Sequence, residues 1–223
     1  MILRRARSPE APKMTRSVVS NLLVNNIRVS PQVEIPDWLT STLASDATGG
    51  EGVLEGLAPI RPGQHYAGYA STVTVAEGDN QQLREAAVRG PRPGRVLVVG
   101  GSPTSQRAVM GDLVATFLQN QGFRAVVVDG RVRDVAELRT LNLQVWCRGV
   151  SPVASTKQGG GRLGGEVDCG GVAVAPGDLV VADDDGIVVW PAQMVVKLLE
   201  LARQRLRADQ ERAAALASGG ELR

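Results

Sequence analysis

The chain has 223 residues, of which 43% are hydrophobic and 22% charged, and its formal net charge is +2; this balance is typical of a soluble globular protein. The Lys and Arg residues are spread out, which argues against a surface for direct nucleic acid binding. No apolar run approaches the roughly 20 residues of a membrane-spanning helix, and the basic start lacks the apolar segment of a signal peptide. Cys147 and Cys169 have no metal-ligand spacing, so a reduced, cytoplasmic protein is expected.

The first part of the chain predicts a tail followed by alternating helices and strands. Residues 1–16 carry Arg and Pro without periodicity, which predicts a disordered tail. Residues 17–217 are interpreted as a single domain that includes the C-terminal helix, and 218–223 as a flexible tail. Pro36 is expected to open a short helix to about residue 44. A Gly- and Pro-rich loop over 52–68 contains the single His65, interpreted as a loop residue with a local hydrogen bond. Further elements are a strand at 71–75, a helix at 80–88 with Asp79 as N-cap, and a strand at 95–99.

The segment 110–135 predicts a helix, a buried strand and a polar turn in succession. The helix begins at Gly111-Asp112, ends at Gly122, and carries an apolar stripe of Val109, Val114, Leu113, Phe117 and Leu118. The strand is the β-branched run 125–128, and the turn follows over 129–134. Ligands of open α/β sheets bind beyond the carboxyl ends of strands. A helix N-terminus with free N–H groups, the cation Arg133 and the carboxylate Asp134 together suit a small oxo acid and a metal.

The last part of the chain predicts short strands and one long helix. Strands are expected at 143–147, 172–174, 179–181 and 187–190, with an Asp-Gly hairpin turn at Asp185-Gly186. The Gly- and Ser-rich segment 151–165 is predicted to be a flexible loop. Its run 159–164 formally matches a dinucleotide fingerprint, but no strand leads into it and no apolar helix follows. The acid triplet 183–185 is interpreted as a solvated turn. A helix from Pro191 to about Ala217 has an apolar stripe and is expected to extend onto another subunit. The order of elements predicts an α/β fold with a partly parallel sheet.

Motifs spread from residue 38 to about 215 resemble the RraA-like family, which includes class II 4-hydroxy-4-methyl-2-oxoglutarate and 4-carboxy-4-hydroxy-2-oxoadipate aldolases and the regulator of ribonuclease E activity. Each motif is short, but their order and spacing together are specific. They are Ser41-Thr42, Ser45-Asp46-Ala47, Ala67-Gly68-Tyr69-Ala70, Thr72-Val73-Thr74, Gly78-Asp79-Asn80, Gly111-Asp112-Leu113, Asp129-Gly130, Arg133-Asp134, Val174-Ala175-Pro176-Gly177-Asp178 and the run from Asp183 to Pro191.

The resemblance implies a compact β/β/α sandwich, assembled as a homotrimer or a dimer of trimers with sites between subunits. It implies a lyase that cleaves a 4-hydroxy-2-oxo acid to pyruvate and a second carbonyl compound through an enolate stabilised by a divalent metal, and that also decarboxylates oxaloacetate. Asp134 would hold the metal, most readily Mg²⁺ and alternatively Mn²⁺, partly through water. Gly111, Asp112, Leu113, Val114 and Arg133 would form the substrate site.

Three catalytic roles follow from the same resemblance. Arg133 would bind the substrate oxygens and offset the enolate charge, and the Leu113 and Val114 N–H groups would bind the pyruvyl carboxylate. Asp112 would orient a water that acts as the base. An acid from the C-terminal region of the neighbouring subunit would complete the site, with Glu211 as the nearest match and Asp209 behind it.

One alternative to this reading concerns the reaction mechanism, and another concerns the class of function. A Schiff-base mechanism is disfavoured because Lys13, Lys157 and Lys197 are the only lysines and none follows a core strand. A binding protein that regulates a ribonuclease complex is the other function the resemblance allows, since one scaffold can serve both.

Overall fold

The computed structural model describes residues 33–88 and 96–219, so the tail predicted at 1–16 lies outside it. The helices are α1 Ser41–Thr48, α2 Gln81–Val88, α3 Asp112–Asn120, α4 Val135–Leu138 and α5 Val195–Ala217, the last preceded by a 3₁₀ turn at Ala192–Met194. The strands are β1 Ala58–Pro59, β2 Tyr66–Thr74, β3 Val96–Gly100, β4 Ala108–Met110, β5 Ala125–Val132, β6 Gln144–Val150, β7 Arg162–Leu163, β8 Val167–Cys169, β9 Val172–Val174, β10 Leu179–Ala182 and β11 Ile187–Trp190.

The main sheet of the described residues follows the order β1-β6-β5-β3-β2-β10-β11, with β4 added to β5 and β7 added to β2. The central strands β2, β3, β5 and β6 are parallel, whereas β1, β10 and β11 run antiparallel to their neighbours. Helices α2 and α3 make the crossovers that parallel neighbours require. The predicted α/β fold with a partly parallel sheet is confirmed.

Both faces of the sheet are covered, as the apolar composition of the central strands indicates. Along β5, Val126 and Val128 pack with Leu83 of α2 and Leu118 of α3, while Val127 points to the opposite face. That opposite face packs against the β8-β9 ribbon. A third apolar cluster joins α1 and α5 to β10 and β11. These layers form the expected β/β/α sandwich, and the carboxyl ends of its parallel strands lie at one edge.

Strand β5 is longer than the sequence predicts, because the segment 129–132 continues the strand instead of turning. Arg131 and Val132 pair with Gly149 and Val150 of β6, and β4 pairs on the other side. Asp129 is buried and is neutralised by an ion pair with Arg148. The polar turn between β5 and α4 therefore consists of Arg133 and Asp134 alone.

The first helix and the acid triplet also differ from the predictions, because Asp183 of the triplet binds the first turn of the helix. Helix α1 begins at Ser41 and not at Pro36, because Thr40 caps it and the Asp183 carboxylate accepts the Ser41 N–H at 2.7 Å. Asp183 is buried, whereas Asp184 and Asp185 are exposed, so the predicted solvated turn is wrong for Asp183 only. Asp184 accepts the Gly63 N–H at 2.7 Å. The triplet anchors α1 and the loop before β2 to the β10-β11 hairpin.

Helix α5 is confirmed as the longest helix among the described residues, and only its first half is buried. Val195, Leu198 and Ala202 contact the core, whereas every residue from 210 to 219 is exposed. Among residues 33–88 and 96–219, no helix is long and apolar enough to cross a membrane. The second half of α5 thus projects away from the described chain.

Candidate functional site

A cleft of about 620 Å³ opens where the carboxyl end of β5 meets the N-termini of α2 and α3 and the segment after Ala154. Six predicted site residues line it: Gly111, Asp112, Leu113, Val114, Arg133 and Asp134. Its other lining residues are Asn80, Arg84, Val88, Ala108, Phe117, Ala154, Ser155 and Lys157. The structure therefore brings the predicted residues into one cavity. Glu211 lies on the exposed second half of α5 and does not line the cleft of its own chain.

The N-terminus of α3 presents free backbone donors to this cleft. Gly111 is the N-cap and offers no side chain, so the N-cap residue itself makes no side-chain hydrogen bond to the helix. The Asp112 N–H is directed to Asp134 Oδ2 at 3.3 Å, and the Ala115 N–H to the Gly111 carbonyl at 3.1 Å. Within the described chain, the Leu113 and Val114 N–H groups have no acceptor. Two adjacent free donors at the positive end of a helix dipole suit a carboxylate.

The apolar stripe predicted for α3 is partly wrong. Val109 belongs to β4, Leu113 is 78% exposed and Phe117 is 38% exposed, while the buried face consists of Ala115 and Leu118. Leu113, Val114 and Phe117 do share one side of the helix, but that side lines the cleft instead of the core.

Asp134 has an unusual backbone conformation that places its carboxylate at the cleft. Its φ of 58° and ψ of 48° make it the one non-glycine residue with positive φ among those described. This left-handed geometry costs about 1 kcal/mol or more outside glycine. Its carbonyl accepts the Leu138 N–H at 2.9 Å and starts α4, but its side chain makes no capping hydrogen bond to α4. The strained backbone conformation of Asp134 therefore serves to place its carboxylate at the cleft.

Arg133, Asp134 and Gly111 fit together closely. Arg133 Nε lies 3.3 Å from Asp134 Oδ2, and the two side chains are 40% and 33% exposed. A side chain at Gly111 would collide with Asp134 Oδ2 and lie 3.1 Å from Arg133 Nε. Glycine is therefore required here so that the carboxylate can reach the α3 backbone. Asp134 Oδ1 keeps no partner in the described part of the chain.

The donor chemistry fits a hydrated hard cation. No group of three or more His, Cys, Asp or Glu side chains converges among the described residues, so a closed protein cage is absent from that part of the molecule. Asp134 supplies one carboxylate, and Asp112 lines the same cleft. Mg²⁺ is often held by one or two carboxylates with the remaining positions filled by water or substrate oxygens. The cleft has the oxygen donors for that mode of binding.

Sequence reasoning missed four polar residues of this cleft, namely Asn80, Arg84, Ser155 and Lys157. Asn80 and Arg84 lie one turn apart at the start of α2, the helix that Asp79 was predicted to cap. Lys157 lies in the segment interpreted as a flexible loop. Local patterns place these residues on their elements, but only the tertiary fold shows that both elements face α3.

Asp79 fixes the loop that carries Lys157. Its buried carboxylate accepts hydrogen bonds from the Gln81 N–H at 2.8 Å, the Gln158 N–H at 2.6 Å, the Gly159 N–H at 3.3 Å and the Thr156 hydroxyl at 2.7 Å. Burial alone would raise the pKa of this carboxyl, but the hydrogen bonds outweigh it and hold the pKa below its ordinary value of 3.8. The loop is thus more ordered than predicted, and Asp79 joins it to α2.

We expect Asp79→Ala to lower the free energy of unfolding by about 2–4 kcal/mol at pH 7, because several buried donors lose their acceptor. The pKa of Asp79 is depressed in the folded protein, so its contribution is complete above the ordinary value and is lost as pH falls through the lower folded value. Urea titrations of wild type and variant should show a smaller difference at about pH 3 than at pH 7. An equal difference at both pH values would show that the charge of Asp79 is not what stabilises the loop.

The other candidate reactive side chains have structural roles. His65 Nε2 lies 3.0 Å from the Leu39 carbonyl, which agrees with a loop residue that makes a hydrogen bond. Cys169 is fully buried, and this burial raises the pKa of its thiol, so it has little nucleophilic character. The Gly-rich run 159–164 leads into the short strand β7 and into no helix. It therefore lacks the context of a dinucleotide site.

Comparisons with known proteins agree with this architecture. The model of the RraA-like family, described as Aldolase/RraA, matches residues 40–189. A relative from Halalkalibacterium halodurans, named as a candidate 4-hydroxy-4-methyl-2-oxoglutarate aldolase, is 34% identical over 80% of this chain and 85% of its own length. RraAS2 of Streptomyces coelicolor, titled an unusual member of the RNase ES inhibitor RraA family, has a TM-score of 0.68 at 26% identity and covers 81% of this chain and 93% of its own.

A second solved structure, the RNA-processing inhibitor RraA from Thermus thermophilus, has a TM-score of 0.62 at 28% identity and covers 71% of this chain and 94% of its own. The matched residues run from α1 to β11 and include the whole α3–β5 unit that builds the cleft. On the family match and the 34% identical relative, this chain belongs to the RraA-like family.

Proposed function

We propose that the protein is a divalent-metal-dependent carbon–carbon lyase that cleaves a 4-hydroxy-2-oxo acid to pyruvate and a second carbonyl compound. The observation that carries the proposal is the convergence of Asp134, Arg133 and the free N-terminus of α3 in one cleft. The name of the Halalkalibacterium relative supports 4-hydroxy-4-methyl-2-oxoglutarate as a substrate to test first. Oxaloacetate is the second, because its decarboxylation also leaves a pyruvate enolate.

Asp134 is the residue that would hold the metal, with Mg²⁺ as the first choice and Mn²⁺ as the second. When bound, such an ion acts as a Lewis acid towards the carbonyl oxygen of a 2-oxo acid. Oδ2 of Asp134 is engaged by the Asp112 N–H and Arg133, and Oδ1 faces no donor within the described chain. The fixed Oδ2 contacts hold the carboxylate in one orientation, which leaves Oδ1 as the donor atom.

The α3 N-terminus and Arg133 would bind the two ends of the pyruvyl unit. The Leu113 and Val114 N–H groups are placed to donate to its carboxylate. The Arg133 guanidinium, oriented by its contact with Asp134, would bind the 2-oxo oxygen and offset the negative charge that develops there. These contacts strengthen as charge accumulates, so they favour the transition state over the bound substrate.

The proton transfers require two further groups. Asp112 lines the cleft at the first turn of α3 and would orient a water that takes the proton from the 4-hydroxyl group and returns one to C3 of the pyruvate enolate. Glu211, with Asp209 nearby on α5, would enter the site from the neighbouring subunit. The second half of α5 supports that geometry, because its residues are exposed and are free to contact a neighbouring subunit.

A homotrimer, or a dimer of trimers, is the assembly that this site would require. Apolar side chains stay exposed beside the cleft, at Leu113 and Val88, and near the end of α5, at Leu216. Large exposed apolar surface often marks a contact with another protein. We expect multi-angle light scattering at micromolar protein to give three or six times the mass of one chain. A monomer mass would contradict a site shared between subunits.

The second candidate function is regulation of an RNA-degradation complex. It is supported by the two solved relatives, which are titled as inhibitors of RNase ES and of RNA processing. A protein-masking surface spreads its binding energy over many residues and does not require a strained carboxylate in a cleft. The geometry of Asp134 therefore favours the lyase.

The test of the proposed function is pyruvate release by the wild-type protein. 4-Hydroxy-4-methyl-2-oxoglutarate and oxaloacetate would each be supplied with Mg²⁺ or with a chelator, and pyruvate followed by its enzymatic reduction. The proposal expects release from both substrates, loss with the chelator and recovery with added Mg²⁺. If no pyruvate forms at any Mg²⁺ concentration, the regulator becomes the better assignment.

A further inference from the structure

One side of the cleft, which we call the α2 wall, is made of two segments that are far apart in the sequence. It consists of Asn80 from the start of α2 and of Ser155 and Lys157 from the segment after Ala154. Asp79 is 2% exposed and does not itself line the cleft. Its carboxylate nevertheless accepts hydrogen bonds from both segments, so one buried side chain joins the two halves of the α2 wall.

The two oxygens of Asp79 hold Lys157 through its neighbours on both sides in the chain. Oδ2 accepts the Thr156 hydroxyl at 2.7 Å and the Gln158 N–H at 2.6 Å. Oδ1 accepts the Gln81 N–H of α2 at 2.8 Å. Hydrogen bonds to an ionised carboxylate are stronger than those between neutral groups. Asp79 thus holds position 157 against the first turn of α2.

The backbone that follows Thr156 depends on these contacts for its shape. Direct backbone pairing with the start of α2 ends at Thr156. Beyond it, the Gln158 and Gly159 N–H groups both donate to Asp79. Gly159 has a φ of 87°, in a region that glycine enters and leaves freely. Without the carboxylate, this stretch would keep few bonds that hold it at the cleft.

Two side chains of the α2 wall lack protein partners, which indicates that a ligand contacts the wall. Asn80 is 7% exposed, and its Oδ1 has no hydrogen-bond donor among the described residues. Buried side-chain oxygens almost always have a partner. Lys157 has no ion pair in the same part of the chain. The position of the α2 wall therefore matters for what the cleft binds.

We infer that Asp79 is a positioning residue for the proposed reaction, which sets the affinity of the cleft for its substrate by holding Asn80 and Lys157 in place before the substrate arrives. A segment that becomes ordered only during binding weakens binding, because its lost conformational freedom opposes the contacts that form. Arg133 and the N-terminus of α3, which are proposed to act on the pyruvyl unit, lie on other elements. Loss of the Asp79 contacts should therefore raise KM and leave kcat nearly unchanged. The inference rests on the proposed function, because that reaction reports the affinity.

Four variants separate this positioning role from a contribution to folding alone. Asp79→Asn keeps the size of the side chain and removes its charge. Thr156→Val removes one donor to Asp79 without a change in α2, and Thr156→Ser retains that donor. Asp178→Asn is the matched control, because Asp178 is also buried, accepts the Ala175 and Ala192 N–H groups, and lies outside the cleft.

The measurements are kcat and KM for pyruvate release from 4-hydroxy-4-methyl-2-oxoglutarate with Mg²⁺, the thermal unfolding midpoint, and amide hydrogen exchange. Asp79→Asn should raise KM by about tenfold and Thr156→Val by about threefold, with little change in kcat. Thr156→Ser and Asp178→Asn should keep the wild-type KM, although Asp178→Asn lowers the unfolding midpoint. The Gln158 and Gly159 amides should exchange faster in Asp79→Asn than in wild type.

An unchanged KM in Asp79→Asn, or an equal rise of KM in Asp178→Asn, would overturn the inference and leave the proposed function intact. If Asp79→Asn does not fold, the Thr156 pair decides, since equal KM values for Thr156→Val and Thr156→Ser would overturn it in the same way. Absence of pyruvate release by wild type would overturn the proposed function and this inference together.

Discussion

Replacing Asp134 with asparagine is expected to lower pyruvate release from 4-hydroxy-4-methyl-2-oxoglutarate and from oxaloacetate by at least about a hundredfold, because loss of a metal-ligating group removes several kcal/mol of transition-state stabilisation. Asparagine keeps the size of the side chain and tolerates the left-handed backbone at this position. It removes the negative charge. Both reactions should fall together, since both pass through the pyruvate enolate.

Alanine at position 134 gives a second test, in which both the carboxylate and the tolerance for a left-handed backbone are lost. Asp134→Ala should also lose activity, with a loss of about 1 kcal/mol in folding stability from the left-handed backbone. Asp168→Ala is the matched control, because Asp168 is exposed on β8 and lies outside the cleft. Steady-state pyruvate assays across a Mg²⁺ titration would be combined with thermal unfolding of each variant. Equal activity of wild type and Asp134→Asn would leave an enzyme but remove Asp134 as the metal ligand.

The substitution with the next largest expected effect is Arg133→Lys. Lysine keeps the positive charge but loses the planar group that contacts Asp134 and can bind two substrate oxygens at once. We expect turnover to fall by about tenfold or more, since one charge-assisted hydrogen bond contributes ~1.5–3 kcal/mol. The measurement is kcat for pyruvate release at saturating Mg²⁺.

The matched control for this substitution is Arg131→Lys. Arg131 lies two residues away on β5, bonds to the Val150 carbonyl at 3.2 Å, and does not line the cleft. It should keep wild-type turnover. If Arg133→Lys also keeps it, Arg133 is only the surface ion-pair partner of Asp134.

The central part of the fold could be predicted because residues close together in the sequence determine its strand and helix. The β-branched run 125–128 and the helical spacing from Asp112 to Asn120 identify β5 and α3 without any tertiary information. The extension of β5 to Val132 could not be foreseen, since Asp129 and Gly130 are typical of turns. Their pairing depends on β6 and on Arg148, which neutralises the buried carboxylate.

The candidate site could be predicted to the extent that its residues are neighbours in sequence. Arg133 and Asp134 are adjacent, and the α3 N-terminus precedes the strand that leads to them. Asn80, Arg84 and Lys157 come from two remote segments, and no periodicity shows that α2 and the 154–157 segment face α3. The prediction for Glu211 needs a second subunit, so it stays a prediction.

The central claim is that this cleft holds an oxo acid together with a metal at Asp134, and a crystal structure with pyruvate and Mn²⁺ tests it most directly. Mn²⁺ can replace Mg²⁺ at an oxygen-donor site and is located by its anomalous scattering. The account predicts an anomalous peak beside the Asp134 carboxylate, with the pyruvate carboxylate against the N–H groups of Leu113 and Val114. An anomalous peak elsewhere, or pyruvate bound outside this cleft, would contradict it.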